Sequence, residues 1–397
     1  METTADSGRI DVSCPRAGIC GGCAYQGVPY KEQLSIKNRS VLAHLSACGV
    51  VPEEYRPVRA TGPLTRYRNK MEYSFGDETR DGPMTLGLYK KDSYMAVIDT
   101  DGCLIVPEAF NRIRKAVLDR AYELGWGFYH KRTHKGFLRS LVVRRGERTG
   151  ELLVNLVTTS EEKLDEDAFC ETVFAAAGGL PSDTVAGILH TINDRRADAV
   201  SCDSVKTLYG RDHYFDELMG LSFRIDAFSF FQTNTSAVES MLNEALALIP
   251  NKRVESLYDV YCGAGTISLA LSGQAGHVTG IEINSESVIA ARENALRNGI
   301  KNTIFICGDA FEVMKNLPSP ELLVMDPPRM GLHPKALRRV IEFGLPEILY
   351  ISCNPKSFAA NAAAFINAGY KVSVLGAYDN FPYTKHVELA ALIEKKR

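Results

Sequence analysis

The sequence predicts an α/β protein: a mostly parallel, helix-covered sheet in the carboxyl-terminal half, joined to a mixed α+β region. Three observations carry this expectation. From about residue 228 onward, short apolar runs alternate with helical stretches, the pattern of a parallel sheet covered on both faces. A glycine-rich turn joins the first of those runs to a helix. Residues 58–225 mix β-branched runs with a long helix and lack that regular alternation.

The expected division is therefore 1–57, 58–225 and 226–397. The first segment carries Cys14, Cys20 and Cys23 among glycines, then a helix over residues 30–48. Leu34, Val41, Leu42 and Leu45 give that helix an apolar stripe, and Gly49 stops it. In the second segment, strands are expected at 138–143 and 152–158 and a helix at 108–124. In the third, strands are expected at 257–261, 278–283, 304–307, 322–325 and 348–352, with helices such as 285–297 and 357–368 between them. Residues 371–375 and 388–393 are expected to add two edge strands.

At 397 residues the chain has room for two or three domains of roughly 150 residues. Hydrophobic residues make up 45% and charged residues 24%, which excludes a disordered, collagen-like or coiled-coil protein. No run reaches about 18 uninterrupted apolar residues, so no membrane span is expected. Residues 1–11 are acidic and polar, unlike a secretory signal, so a cytoplasmic protein is expected. In a reducing compartment, clustered cysteines among a total of ten point to metal binding or catalysis rather than disulfides. A net charge of −2 neither demands nor excludes a nucleic-acid partner, because local patches decide that. Two such patches stand out. Residues 128–148 hold seven Lys or Arg against Glu147, and residues 56–72 hold five against Glu72, both runs interleaved with aromatics.

The turn reads Tyr261-Cys262-Gly263-Ala264-Gly265-Thr266. Its two glycines let backbone pass close to a ligand at the end of a first strand. Glu282 ends the next strand, 19 residues after Gly263, where a carboxylate can hold two ribose hydroxyls. The turn lacks the third glycine of the dinucleotide fingerprint. With Gly308-Asp309-Ala310 after the third strand, it resembles motif I of the S-adenosylmethionine-dependent methyltransferases. Asp326-Pro327-Pro328-Arg329 ends the fourth strand, and the prolines stiffen its exit. Arg329 stands where amino-methyltransferases commonly carry a stacking aromatic, which disfavours an exocyclic amine as the target. Ser352-Cys353-Asn354-Pro355 ends the fifth strand with an exposed thiol, and His386-Val387-Glu388 opens the last strand.

With Phe230-Phe231-Gln232-Thr233-Asn234, these motifs occur in the order found in the RNA uracil-5 methyltransferase family, which the chain resembles from Phe230 to Glu388. The resemblance implies a class I methyltransferase domain with a seven-stranded sheet and the formation of 5-methyluridine in RNA. Carbon 5 of uracil is too weak a nucleophile to take a methyl group directly. A thiolate added at carbon 6 makes it an enolate that can. The resemblance assigns that thiolate to Cys353 and the removal of the carbon-5 proton to Glu388. It assigns donor contacts to Gln232, Tyr261, Thr266, Glu282, Asp309 and Asp326. Thr266 departs from the Asn often found there, and Asp326 is also placed to face the uracil.

Three thiolates spaced C-x5-C-x2-C do not make a zinc finger, and they suit an iron–sulfur cluster completed by a distant cysteine. The resemblance to the ribosomal branch implies a four-iron–four-sulfur cluster with Cys103 as the fourth ligand beside Cys14, Cys20 and Cys23. Cys48 is the rival, read as helix core. The expected partner is RNA, 23S rRNA ahead of tRNA, with the target base flipped out of its stack and the two basic runs as the grip. No obligate protein partner is evident. Relatives often carry a β-barrel before the cysteines; only 13 residues precede Cys14, so substrate choice is expected to rest on the middle segment. Two alternatives remain. An RNA cytosine-5 enzyme is one, although the fourth strand lacks its usual thiol. A non-catalytic iron–sulfur RNA-binding protein is the other.

Overall fold

A computed structural model describes residues 14–179, 182–196, 203–249 and 253–396. Helix α1 (Tyr30–Ala47) leads into strand β1 (Glu54–Ala60). A central sheet follows, built from β2 (Lys70–Asp77), β3 (Met84–Tyr89), β4 (Val97–Asp99), β5 (Leu138–Arg145), β6 (Glu151–Thr158), β7 (Thr184–Ile192) and β8 (Ser204–Gly210), in the order β4-β3-β2-β5-β6-β7-β8. All neighbours run antiparallel except β6 and β7, whose parallel pairing is bridged by helix α3 (Glu166–Ala177). Helix α2 (Glu108–Glu123) packs beside α3. Together with the sheet they enclose Phe110, Ile113, Leu141, Val143 and Phe169. A hairpin of β9 (His213–Leu218) and β10 (Leu221–Asp226) leads on to helix α4 (Thr235–Leu246).

The carboxyl-terminal part adds β11 (Val254–Val260), α5 (Thr266–Ala270), β12 (Ala275–Glu282), α6 (Ser285–Arg297), β13 (Thr303–Cys307), α7 (Ala310–Lys315), β14 (Leu322–Met325), α8 (Pro334–Phe343), β15 (Glu347–Ser352), α9 (Pro355–Asn367), β16 (Tyr370–Asp379) and β17 (Glu388–Lys395). Its sheet runs β1-β16-β17-β15-β14-β11-β12-β13. Strands β11 to β15 are parallel and β17 is antiparallel to both neighbours. Local sequence starts the helices. Asn284 caps α6 through its side chain, and Asn354 caps α9 ahead of Pro355 at the first helical position. Phe358 and Phe365 of α9 are fully buried, each contributing roughly 1.5–3 kcal/mol.

The sheet has eight strands, not the seven expected, because β1 pairs in parallel with β16. The expected boundary at residue 57 falls inside that strand. The stripe of α1 also differs from expectation. Its buried row is Gln33, Lys37, Val41 and Leu45, whereas Leu42 is exposed. Val41 and Leu45 join the core that contains Phe365, while Gln33 and Lys37 face a backbone that needs polar partners. Cys48, read as core, is exposed at the helix end. Among the described residues, no helix is long and apolar enough to cross a membrane.

Candidate active site

Strand order reverses at β11, which pairs with β12 on one side and β14 on the other, and ligands bind at such switch points. The turn leaving β11 is built to open there. Tyr261 takes φ 70°, rare for a side chain of its size, and its N–H and that of Cys262 both donate to the Ile281 carbonyl, at 2.8 and 3.1 Å. Gly265 takes φ 87°, and a Cβ there would lie 3.1 Å from Phe305 and 3.2 Å from Ala291. At the tip of β12, the Glu282 carboxylate accepts from Gly263 N–H at 3.2 Å and from Asn284 N–H at 2.8 Å. It is thereby aimed beside the turn. Asp309 accepts from Phe311 and Glu312 N–H and caps α7. Burial pushes the Tyr261 hydroxyl up to about 12, with the Asp309 and Glu282 carboxylates adding to the shift. Thr266 is the first residue of α5. The Gln232 carbonyl accepts from Asn69 Nδ2 at 3.0 Å, tying its segment to the central part.

On the other side of the switch point, register brings Cys353 and Glu388 together. Ser352 of β15 pairs with Leu389 of β17, so the next residue on one strand, Cys353, meets the previous residue on the other, Glu388. Asp326 leaves β14 on the adjoining strand. Its N–H donates to the Val260 carbonyl at 3.2 Å. Asn354 Nδ2 donates to the Arg329 carbonyl at 2.8 Å, and Asn361 Oδ1 accepts from Leu332 N–H at 2.9 Å. Gly331, at φ 78°, has no room for a Cβ against that oxygen, which lies 2.7 Å away. The Asp326 and Cys353 loops are thus joined through α9.

Asp326 and Glu388 form a half-buried carboxyl pair beside the exposed Arg329. Burial pushes Glu388 up to about 7, while Arg329 pulls it down. Burial, then the neighbouring Glu388 and Asp259 carboxylates, raise Asp326 well above the usual range. Burial, then Glu388 and Asp326, push the Cys353 thiol up to about 11, again opposed by Arg329. Sequence reasoning used Arg329 only to disfavour an amine target; its proximity to both reactive groups depends on strand register and was not legible.

The four predicted ligands Cys14, Cys20, Cys23 and Cys103 line one pocket with Arg16, Thr100, Leu88 and Ile105. The cysteine turn docks on the central sheet by Gly21 N–H to Tyr89 O at 2.9 Å and Lys91 N–H to Ile19 O at 2.7 Å. A Cβ on Gly21 would sit 2.9 Å from the Tyr89 oxygen. Asn111 clasps Cys103 through both its N–H and its carbonyl. Burial pushes the Cys23 thiol up to about 12 and raises Cys20 and Cys103.

The two basic runs are largely committed to internal contacts. Arg145 pairs with Asp183 at 2.7 Å and Arg148 with Glu239 at 2.6 Å. Buried Arg144 donates to the Ser229 carbonyl, and Arg139 donates to the Asn193 carbonyl and stacks on Tyr129. Arg56 pairs with Glu54 and Arg59 with Glu244. The 130–135 turn stays exposed, with His130, Arg132, His134 and Lys135, and so does Arg66 of the first run. Lys131 of that turn lies 4.5 Å from the Tyr89 ring centre. It joins the turn to exposed Lys90, Lys91 and Tyr94.

This architecture, with its open turn at the switch point, is that of the class I S-adenosylmethionine-dependent methyltransferases. The tRNA (Uracil-5-)-methyltransferase profile matches residues 218–396. An uncharacterized RNA methyltransferase of Caldanaerobacter subterraneus subsp. tengcongensis is 42% identical over 387 residues, 97% of this chain and 85% of that protein. One from Clostridium tetani is 39% identical, over 98% and 85%. The crystal structure of the Pyrococcus abyssi tRNA (uracil-54, C5)-methyltransferase with S-adenosyl-L-homocysteine superposes with a TM-score of 0.77 at 24% identity, covering 94% of this chain and 84% of that one. The chain belongs to the RNA uracil-5 methyltransferase family and is an RNA methyltransferase.

Proposed function

We propose that this enzyme forms 5-methyluridine in 23S rRNA through a covalent bond between Cys353 and uracil. The observation that carries the reading is the Ser352–Leu389 register, which sets a thiol and a carboxylate side by side at the strand ends next to the Asp326 and Gly263 loops. Gln232, Tyr261, Thr266, Glu282, Asp309 and Asp326 hold the donor, the Glu282 carboxylate taking the ribose hydroxyls. Bound S-adenosylmethionine supplies a methyl group on a cationic sulfonium. Burial, ahead of the neighbouring Glu388 and Asp326 carboxyl groups, keeps the Cys353 thiol protonated, and a nearby positive charge favours the thiolate.

The Cys353 thiolate adds to carbon 6, and the displaced π electrons move onto carbon 5 and the carbon-4 oxygen. Asp326, held toward its neutral form, donates to that oxygen. Carbon 5 takes the methyl group, and the C–S electron pair of the donor stays on its sulfur. Glu388 then removes the carbon-5 proton. The electrons restore the ring double bond as the bond from carbon 6 to sulfur breaks, returning Cys353 as thiolate.

Cys14, Cys20, Cys23 and Cys103 hold a four-iron–four-sulfur cluster in this reading. In support, they share one concavity whose lining includes a buried, unpartnered Thr100 hydroxyl, and burial disfavours the bare thiolates. The cluster supplies a clip between the amino-terminal turn and the central sheet. The exposed basic and aromatic surface around residues 89–94 and 130–135 grips RNA backbone and stacks bases. Transfer RNA, the substrate class of the P. abyssi enzyme, is the alternative target. Incubating the protein and labelled donor with unmodified 23S rRNA and with tRNA, then mapping the product base, tests both. Methylation of a cytosine, or of neither RNA, contradicts the reading.

A further inference from the structure

The connection from β16 to β17, which ends at Glu388, is gripped by parts of the chain remote from it in sequence. At Asp379, one carboxylate oxygen takes the Lys37 ammonium at 2.5 Å and the other takes the Tyr30 hydroxyl at 2.9 Å. At Asn380, the carbonyl accepts from Asn234 Nδ2 at 2.6 Å and the side-chain oxygen from Thr61 at 2.7 Å. The Phe381 carbonyl accepts from Lys37 at 3.1 Å and the Pro382 carbonyl from the Tyr67 hydroxyl at 2.9 Å. At Tyr383, the N–H donates to Gln33 Oε1 at 3.0 Å, and the carbonyl accepts from the N–H groups of Ala24 and Tyr25 at 2.8 and 2.9 Å. Each residue from 379 to 383 is therefore held from outside the carboxyl-terminal strands, and Tyr383 is held at φ 66°. A side chain in that region of φ persists only when its surroundings impose it.

We infer that Gln33 and Tyr67 are positioning residues for the base: they brace the connection that aims Glu388 at the carbon-5 proton. Gln33 is fully buried on α1, the helix whose Tyr30 and Lys37 also hold the connection. Its amide is itself fixed, Nε2 donating to the Val28 carbonyl at 2.8 Å. The brace also begins one residue after Cys23, so the cysteine turn feeds directly into it. The hydrogen bonds described above for the Cys353 and Asp326 loops come instead from Val260, Asn354 and Asn361, all within the carboxyl-terminal part. The inference follows that a loosened brace slows the step that uses Glu388 while donor binding and attack by Cys353 continue. It rests on the proposed uracil-5 chemistry.

The test uses the full chain and its Gln33→Met, Gln33→Glu and Tyr67→Phe variants. Three quantities are read: equilibrium binding of S-adenosylmethionine, labelled methyl in a covalent protein–RNA complex, and release of tritium from RNA carrying 5-tritiated uridine. In Gln33→Met and Tyr67→Phe, binding and methyl capture are expected to hold. Tritium release is expected to slow roughly tenfold to a hundredfold, the scale of a misplaced reacting group. The covalent complex then accumulates. Gln33→Glu, neutral at this buried position, keeps an acceptor for Tyr383 N–H and a donor for the Val28 carbonyl, and release stays near the parent rate. Equal loss of all three quantities, or tritium release at the parent rate in both deficient variants, overturns the brace. Tyr67→Phe preserves volume and keeps the test alive where Gln33→Met does not fold. A parent enzyme that never attaches to 5-fluorouracil RNA overturns the underlying chemistry instead, and the brace with it.

Discussion

Cys353 and Glu388, the proposed nucleophile and base, stand at the ends of neighbouring strands, yet different parts of the chain hold them. Cys353 and Asp326 sit on loops joined through Asn354 and Asn361 of α9, all within one sheet region. Glu388 follows a connection anchored by residues 24–67 and 234. The difference teaches that, in the proposed chemistry, the thiol is held from within the carboxyl-terminal sheet, while the base at the start of β17 also leans on the rest of the protein.

The largest effect that sharpens this contrast is expected from Cys353→Ala. It removes the covalent step, so methylation of RNA falls below detection while isothermal titration still shows donor binding. Glu388→Gln comes next. Attack and methyl transfer proceed, and resolution slows by about 10²–10⁴-fold, the usual worth of a general base, leaving a protein–RNA band on a denaturing gel. A fully active Glu388→Gln enzyme without adduct would break the comparison.

Lys37→Met probes the anchoring directly. It leaves the Asp379 carboxylate buried without its ammonium, both side chains being fully inaccessible, and about 3–5 kcal/mol of stability is lost, read by chemical denaturation. A loss no larger than that of an exposed pair would show that the connection is not anchored there. The smallest effect is a pH shift. Burial raises Glu388 to about 7, so the base form is depleted as pH falls below that value and adduct resolution slows. Arg329 opposes the raised values of Glu388 and Cys353, so Arg329→Gln should move the rate profile to higher pH. An unmoved profile would remove Arg329 from the electrostatics of the site.

What the sequence made legible was local. Runs such as 322–325 and 348–352 announced buried strands, and the glycines at 263 and 265 announced the turn between β11 and α5. The motif residues 326, 353 and 388 could be picked out one by one, but their meeting depends on register across β15 and β17, which no single segment encodes. The arginines at 145 and 148 looked available for RNA because their partners, Asp183 and Glu239, lie far along the chain. The stripe expected for α1, Leu34, Val41, Leu42 and Leu45, left out Gln33 and Lys37. They are buried because the backbone of residues 379–383 offers donors and acceptors that an apolar face would leave unpaired.

The edge position of β1 bears on how the molecule is made. Residue 54 pairs with residue 374, so during synthesis this strand leaves the ribosome long before its neighbour exists. Expressing the carboxyl-terminal part alone would leave β16, with buried Leu375 and Ala377, as an open border able to zip onto other chains. Seam and border are closed only by the intact polypeptide.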